Sequence, residues 1–284
     1  MKKVLAALLC LTLIPVVPAY AEEDPAAAAE TLLQDVKGTY DELFDTITVP
    51  EYDQLWLDNC TEVLGEEMAP EAAEMLKTVC NADIYGQEAI DAYGDGSEGA
   101  AFCCGFINGV SQFVFDGNTI SGLDENGEQV FSHEYTFSRE ASLMEGMMDG
   151  YLYETADEDA GEFKYFFLLP DTPASTYHIE FRYGSDADAL ELYNEGPYAY
   201  WLAAGILADH DEQMVTDVIN LFCSENLAEM EEEMGEEAEA ATEEEAASET
   251  DGAENAEEAP AEEAPAEEAP AEETEEAAAS DDAA

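Results

Sequence analysis

The chain has three histidines, His133, His178 and His210, and one of them stands in a pattern suited to binding a metal. Thr176-Tyr177-His178-Ile179-Glu180-Phe181-Arg182-Tyr183-Gly184 reads as a single strand. Side chains alternate across a strand, so Thr176, His178, Glu180 and Arg182 share a polar face, while Tyr177, Ile179, Phe181 and Tyr183 share a core face. A neutral imidazole nitrogen with a carboxylate two residues along the same face makes a pair of zinc donors, but zinc takes three or four ligands. His133, in Phe131-Ser132-His133-Glu134-Tyr135, is the further candidate ligand. The alternatives are structural. His178 would be hydrogen-bonded in a polar barrel lumen, where Arg182 pairs with Glu180 and disfavours a cation. His133 would be a packed core or rim residue on the side of Phe131, Tyr135 and Phe137. His210, between Asp209 and Asp211, reads as part of a solvated loop and helix cap.

No catalytic signature accompanies these residues. There is no Gly-x-Ser-x-Gly, no His-Glu-x-x-His, no phosphate-cradling loop and no cysteine with a plausible base, so the chain reads as something other than an enzyme. The acidic clusters Asp157-Glu158-Asp159 and Asp186-Ala187-Asp188 lack the glycine and terminal glutamate of a calcium loop and read as solvated surface. Cys60, Cys80, Cys103, Cys104 and Cys223 lie beyond the leader region described below. The expected pairings are Cys60 with Cys80, and Cys103 or Cys104 with Cys223, which leaves one cysteine over.

The elements that must position these groups begin with a helical pattern from Thr31 to Tyr93, with apolar residues at helical spacing such as Leu43, Phe44 and Ile47. Strand patterns start near Phe102. They continue as Val110 to Phe115, Asn118 to Leu123, Gln129 to Phe137, Leu143 to Met148, Tyr151 to Thr155, Phe163 to Leu169 and Thr176 to Tyr183. Asp116-Gly117-Asn118 and Asp124-Glu125-Asn126-Gly127 are hairpin turns. Several short antiparallel strands at this spacing predict a sandwich or closed barrel, and closure removes exposed edges. Asp186 to Tyr193 and Tyr198 to Leu207 read as helices. Asp211 to Leu227 is an amphipathic helix with Met214, Val218, Leu221 and Phe222 on one stripe.

Composition narrows the partners. The sequence holds 70 acidic against 7 basic residues, a formal charge of −63, which repels nucleic-acid phosphates and anionic membrane surfaces. Lys2 and Lys3, an apolar run from Val4 to Val17 and the small-x-small stretch Ala19-Tyr20-Ala21 predict a secretory signal peptide cut after Ala21. Cys10, preceded by Leu9, does not fit a lipid-modified cysteine, and no later stretch is a membrane span. An exported protein, periplasmic or at the cell surface, is the expectation. From Glu229 to Ala284 there is no Lys or Arg, and the repeating Glu-Glu-Ala-Pro-Ala tract predicts a disordered, extended acidic tail.

The order Phe163-Lys164-Tyr165-Phe166-Phe167, Thr176-Tyr177-His178-Ile179, Asp188-Ala189-Leu190 and Pro197-Tyr198-Ala199-Tyr200-Trp201 resembles the ZinT/YodA family of exported zinc-binding proteins. In that family a Lys-Tyr strand precedes a His-x-His strand, a turn, a Leu-bearing helix and a Trp-Pro-Thr-Tyr-Tyr-Pro segment. The likeness runs from about Gly109 to Leu227. Thr176 stands where the family has its first strand histidine, and Leu168 to Ser175 lacks the family's Phe-Ser-Asp-His segment, so only His178 carries over as a ligand. The resemblance implies an antiparallel lipocalin-like (calycin) β-barrel over 101–228, which with the helical N-terminal unit over 22–100 and the C-terminal helices read from the apolar spacing makes an α+β fold. It also implies zinc as the bound ion, divalent metal ions as partners, and a role with a metal-uptake ABC transporter. The alternative is a secreted lipocalin-like surface or interaction protein without a working metal site.

Overall fold

The computed structural model describes residues 24–94 and 100–227. The signal peptide expected over 1–21 and the acidic tail expected over 229–284 lie outside the described residues. The strands are β1 (Gly38–Glu42), β2 (Gln112–Asp116), β3 (Thr119–Leu123), β4 (Gln129–Leu143), β5 (Met148–Thr155), β6 (Tyr165–Leu168), β7 (Ile179–Gly184) and β8 (Ala203–Leu207). The helices are α1 (Pro25–Asp35), α2 (Leu43–Ile47), α3 (Asp53–Leu64), α4 (Ala69–Val79), α5 (Gln87–Tyr93) and α6, over 212–227. Each strand pairs with its sequence neighbour, and β1 pairs antiparallel with both β2 and β8, so the sheet closes into an eight-stranded barrel. Closure satisfies every strand's backbone groups without leaving an edge.

The turn chemistry follows the sequence. Gly117 takes φ +64° in the β2–β3 hairpin, a conformation cheap only for residues such as glycine. The Asp124 carboxylate accepts from the backbone N–H groups of Asn126 and Glu128 at 2.8 Å each, forming the β3–β4 turn.

Aromatic rings fill the lumen. Phe113 on β2 lies 4.9 Å from Phe181 on β7 and 6.0 Å from Phe166 on β6. None of these strands neighbours β2, so the contacts cross the barrel interior. Ile179, Phe181 and Tyr183 therefore point inward, and the polar alternates of β7 point out of the wall, not into a polar lumen. They remain buried because chain segments cover that wall. Helix α6 buries Val215, Val218, Ile219 and Phe222. Phe222 meets Phe44 of α2 and Trp56 of α3 edge-on, at centroid distances of 5.4 and 5.8 Å.

Four local expectations change. Helical periodicity covers Thr31 to Tyr93, yet Gly38–Glu42 is a strand, because the open space between β2 and β8 supplies its hydrogen bonds. Gly38 lets β8 pack closely there, since a Cβ would lie 2.5 Å from a Leu207 methyl and would have to displace that side chain. Ala203 to Leu207 has helix-forming residues but closes the barrel as β8, where ladder pairing outweighs propensity. The helix expected over Asp186 to Tyr193 is one short turn, Ala189–Glu191, and the strand expected over Leu143 to Met148 is the tight connection between β4 and β5.

The cysteines also differ from expectation. All five are buried thiols among the described residues. Cys60 lies against Cys223, and Cys80 against Cys104, so neither the Cys60 and Cys80 pairing nor the pairing of Cys103 or Cys104 with Cys223 is formed. Among the described residues no helix is long and apolar enough to cross a membrane.

Phe113 is fully buried and meets rings from β2, β4, β6 and β7. Phe113→Ala should destabilise the fold by about 3–5 kcal/mol, the usual cost of an aromatic-sized core cavity. Urea unfolding followed by tyrosine and tryptophan fluorescence measures this, and a loss under 1 kcal/mol would contradict a packed lumen.

Candidate metal centre

On the outer face of β7 the backbone alternation delivers Glu180 and Arg182, with His178 immediately before the strand. His178 and Glu180 are each 2 % exposed and Arg182 is fully buried. Charged groups are rarely so buried unless they are paired or coordinate a metal.

Arg182 does not pair with Glu180. Its guanidinium donates to the carbonyl oxygens of Leu190 at 2.7 Å, Leu192 at 2.9 Å and Tyr198, and it lies over the Trp201 ring at 5.9 Å. Burial lowers its pKa to about 10, which still leaves it charged at neutral pH. The carbonyls of the segment between β7 and β8 thus absorb the cation, and the Glu180 carboxylate is left to His178.

The connection from β6 to β7 brings in a third group. Thr172 accepts from the backbone N–H groups of Ser175 at 3.0 Å and Thr176 at 2.9 Å, which folds Asp171 to Thr176 into a compact turn. Tyr177 then adopts φ +66°, a left-handed conformation costly for a bulky residue and typical of functional positions. Strand pairing therefore starts at Ile179, and Thr176 to His178, expected within the strand, belong to the turn. The strained turn places the His178 ring with Nδ1 2.6 Å from the Thr176 carbonyl oxygen. An N–H at Nδ1 donating to that carbonyl leaves the Nε2 lone pair free, which is how metal-binding imidazoles are oriented.

Nε2 faces carboxylates. It lies 3.7 Å from Glu180 Oε1, and one donor atom each from Asp171, His178 and Glu180 fall within 4.8 Å of one another. Glu225 of α6 interacts electrostatically with all three of these groups. His178 Nε2, Glu180 Oε2 and Glu225 Oε2 are buried without a hydrogen-bond partner. Such orphaned atoms are costly unless something else engages them. One imidazole and up to three carboxylates match the nitrogen and oxygen donors, and the ligand number, that zinc uses.

The electrostatics reflect crowded negative charge. Burial, aided by Glu180, raises Asp171 to about 7 against the partial compensation of His178. Burial likewise raises Glu225 to about 7, with Glu180 and Asp171 adding to the effect. Burial opposes protonation of His178, but the Glu180 and Asp171 carboxylates and the Thr176 carbonyl outweigh it and push the imidazole up to about 9.

Of the residues proposed from sequence, His178 and Glu180 come together and His133 stands apart from their cluster. His133 lies on β4, with Nδ1 2.7 Å from Asp157 and its ring stacked on Phe131. His210 contacts the Leu207 carbonyl at 2.7 Å, in the link between β8 and α6. Asp171 and Glu225 were missed. Each carries a faint signal: Asp171 sits between Pro170 and Pro173 in the shortest route from β6 to β7, and Glu225 falls three residues after Phe222 and seven after Val218, on the helix's apolar stripe.

Among solved structures the chain is similar to the Zn(II)-bound ZinT-like domain of Streptococcus pneumoniae AdcA, at 15% identity and TM-score 0.43, covering 66% of this chain and 89% of that one. It is also similar to Zn(II)-bound AdcA from Streptococcus pneumoniae, at 15% identity and TM-score 0.41, covering 69% of this chain and 39% of that one. No protein-family model matches the chain, and no curated protein does.

The raised groups fix the pH dependence of the metal-free protein. Folded Asp171 and Glu225 keep protons that the unfolded chain sheds near pH 4, so their contribution is most favourable below that pH and is lost as pH rises to about 7. The His178 contribution is complete below 6.5 and is lost as pH rises through about 9. All three act in the same direction. Lifting Asp171 from 3.8 to about 7 weighs on the order of 4 kcal/mol against its charged form. Asp171→Asn should therefore raise the melting temperature of chelator-treated protein by about 5 °C or more at pH 8, with little or no gain at pH 4. Calorimetry at both pH values checks this, and an equal effect at both would refute it.

Proposed function

We propose that this chain is an exported protein that binds a divalent metal ion, zinc by its donor chemistry, and that its work is binding and not catalysis. The observation that carries the reading is the buried cluster of His178, Asp171 and Glu180, joined by Glu225, with the imidazole Nε2 and two carboxylate oxygens lacking hydrogen-bond partners. His178 would supply the nitrogen donor, Asp171 and Glu180 the nearest oxygen donors, and Glu225 a further oxygen from α6. Zinc bound there would neutralise carboxylates that otherwise hold protons. The placement of Arg182 supports the same reading, since its charge is spent on three carbonyls away from Glu180. The signal-like N-terminus supports export to a periplasm or cell surface, and the resemblance drawn from the sequence makes a metal-uptake ABC transporter the natural recipient of the ion. For the alternative, a secreted lipocalin-like surface or interaction protein without a working metal site, Phe113, Phe115, Phe166, Phe181 and Tyr183 fill the lumen, which speaks against a small ligand held inside it.

Zinc titration of the full chain against a competing chelator, in excess calcium to occupy the exposed carboxylates, tests the assignment. The expected dissociation constant is about a micromolar or below, weakened at least tenfold, roughly 1.4 kcal/mol, by His178→Ala and by the near-isosteric Glu180→Gln. His133→Ala should leave it unchanged. Zinc binding that ignores both His178 and Glu180 would remove the site from consideration.

A further inference from the structure

Four of the five buried cysteines are arranged in two pairs, one by the packing of α3 on α6 and one by a bridge at the end of α4. Helices α3 and α6 lie side by side in a register fixed at two points: the Trp56 and Phe222 rings meet edge-on at 5.8 Å, and the Asn59 amide donates to the Asn220 side-chain oxygen at 2.9 Å. One residue beyond Asn59 is Cys60, and one beyond Phe222 is Cys223; their thiols are in hydrogen-bonding contact. At the end of α4 the antiparallel bridge between Asn81 and Cys103 sets Cys80, one residue back, beside Cys104, one residue on. The Ala82 N–H to Phe102 carbonyl bond of 3.1 Å holds that register, and these two thiols are also in contact. Cys103 belongs to the opposite alternation, bridged in parallel to Trp201.

We propose that the exported protein carries two disulfides, Cys60 to Cys223 and Cys80 to Cys104, with Cys103 remaining a thiol. Directly opposed residues and helix-packed neighbours supply the Cβ approach a disulfide requires. An oxidising compartment supplies the oxidant, a small-molecule or protein disulfide. In each bond two S–H bonds break and one Sγ–Sγ bond forms. Two protons and two electrons pass to the oxidant disulfide, which leaves as two thiols. The first bond would tie α6 to α3, two residues from Glu225. The second would staple the end of α4 to the segment running beside β8. Burial pushes the Cys103 thiol up to about 11, which keeps it protonated and unreactive.

The test is peptide mapping of the full chain, both as secreted into an oxidising compartment and after refolding from the reduced state in a mixture of reduced and oxidised glutathione. Under non-reducing digestion two cross-linked peptide pairs should appear, one joining Cys60 and Cys223 and one joining Cys80 and Cys104. An alkylating agent added in denaturant should label Cys103 and, where the leader is retained, Cys10. Cys104→Ala should abolish the second cross-link and Cys103→Ala should keep it. Five alkylated thiols, glutathione adducts in place of cross-links, or a bond between Cys60 and Cys80 would overturn the proposal. The readout is covalent connectivity, so it is independent of whether the chain binds zinc.

Discussion

The structure turns on the alternation of side chains along β7. Ile179, Phe181 and Tyr183 are committed to the lumen, where they join rings from β2 and β6. The period of two then sends Glu180 and Arg182 out through the other face of the wall, and the turn before the strand sets His178 beside them. That face is covered, so three polar groups are taken out of water by a choice made for the sake of three apolar ones. Everything distinctive about the site follows from how each is compensated.

The compensation differs between neighbours only two residues apart. Arg182 meets carbonyl oxygens from the segment between β7 and β8, a fixed arrangement of dipoles that suits a planar guanidinium with several donors. Glu180 has no comparable set of donors, and one of its oxygens stays unmatched. His178 is anchored through Nδ1 to its own turn and presents only a lone pair or a proton at Nε2. Asp171 and Glu225 arrive from two other elements and bring more negative charge to the same place. Protons relieve this crowding in the raised pKa values of both acids and of the imidazole. A dipositive ion relieves it more completely, because it answers several oxygens and a nitrogen at once.

How much of this was legible in the sequence depends on range. The closeness of His178 and Glu180 was readable from their spacing, although a turn ending at Tyr177, and not strand alternation, sets the His178 ring. The hairpins marked by Gly117 and Asp124 are equally local. Barrel closure is not local: Gly38–Glu42 and Ala203–Leu207 take strand form because β2 and β7 offer them unpaired edges, although both lie within stretches that read as helical. Asp171 and Glu225 reach the cluster through a strained turn and a docked helix, which no spacing rule joins to His178 across the chain. The cysteine pairs were misread for the same reason, since Cys60 and Cys223 are neighbours only through the packing of α3 on α6.

The excess of 63 negative charges gives the buried cluster a second significance. An acidic surface raises the local concentration of every divalent cation and speeds its arrival, but solvated carboxylates discriminate weakly and are screened by salt. The cluster on β7 lies behind the surface, where screening is weaker. There an imidazole nitrogen favours zinc and its transition-metal relatives over calcium and magnesium, which prefer oxygen alone. On the proposed reading, surface charge and buried site would divide the work between capture and selection. The division depends on the burial of β7's outer face, because the same residues set in water would be four more weak acids and bases among many.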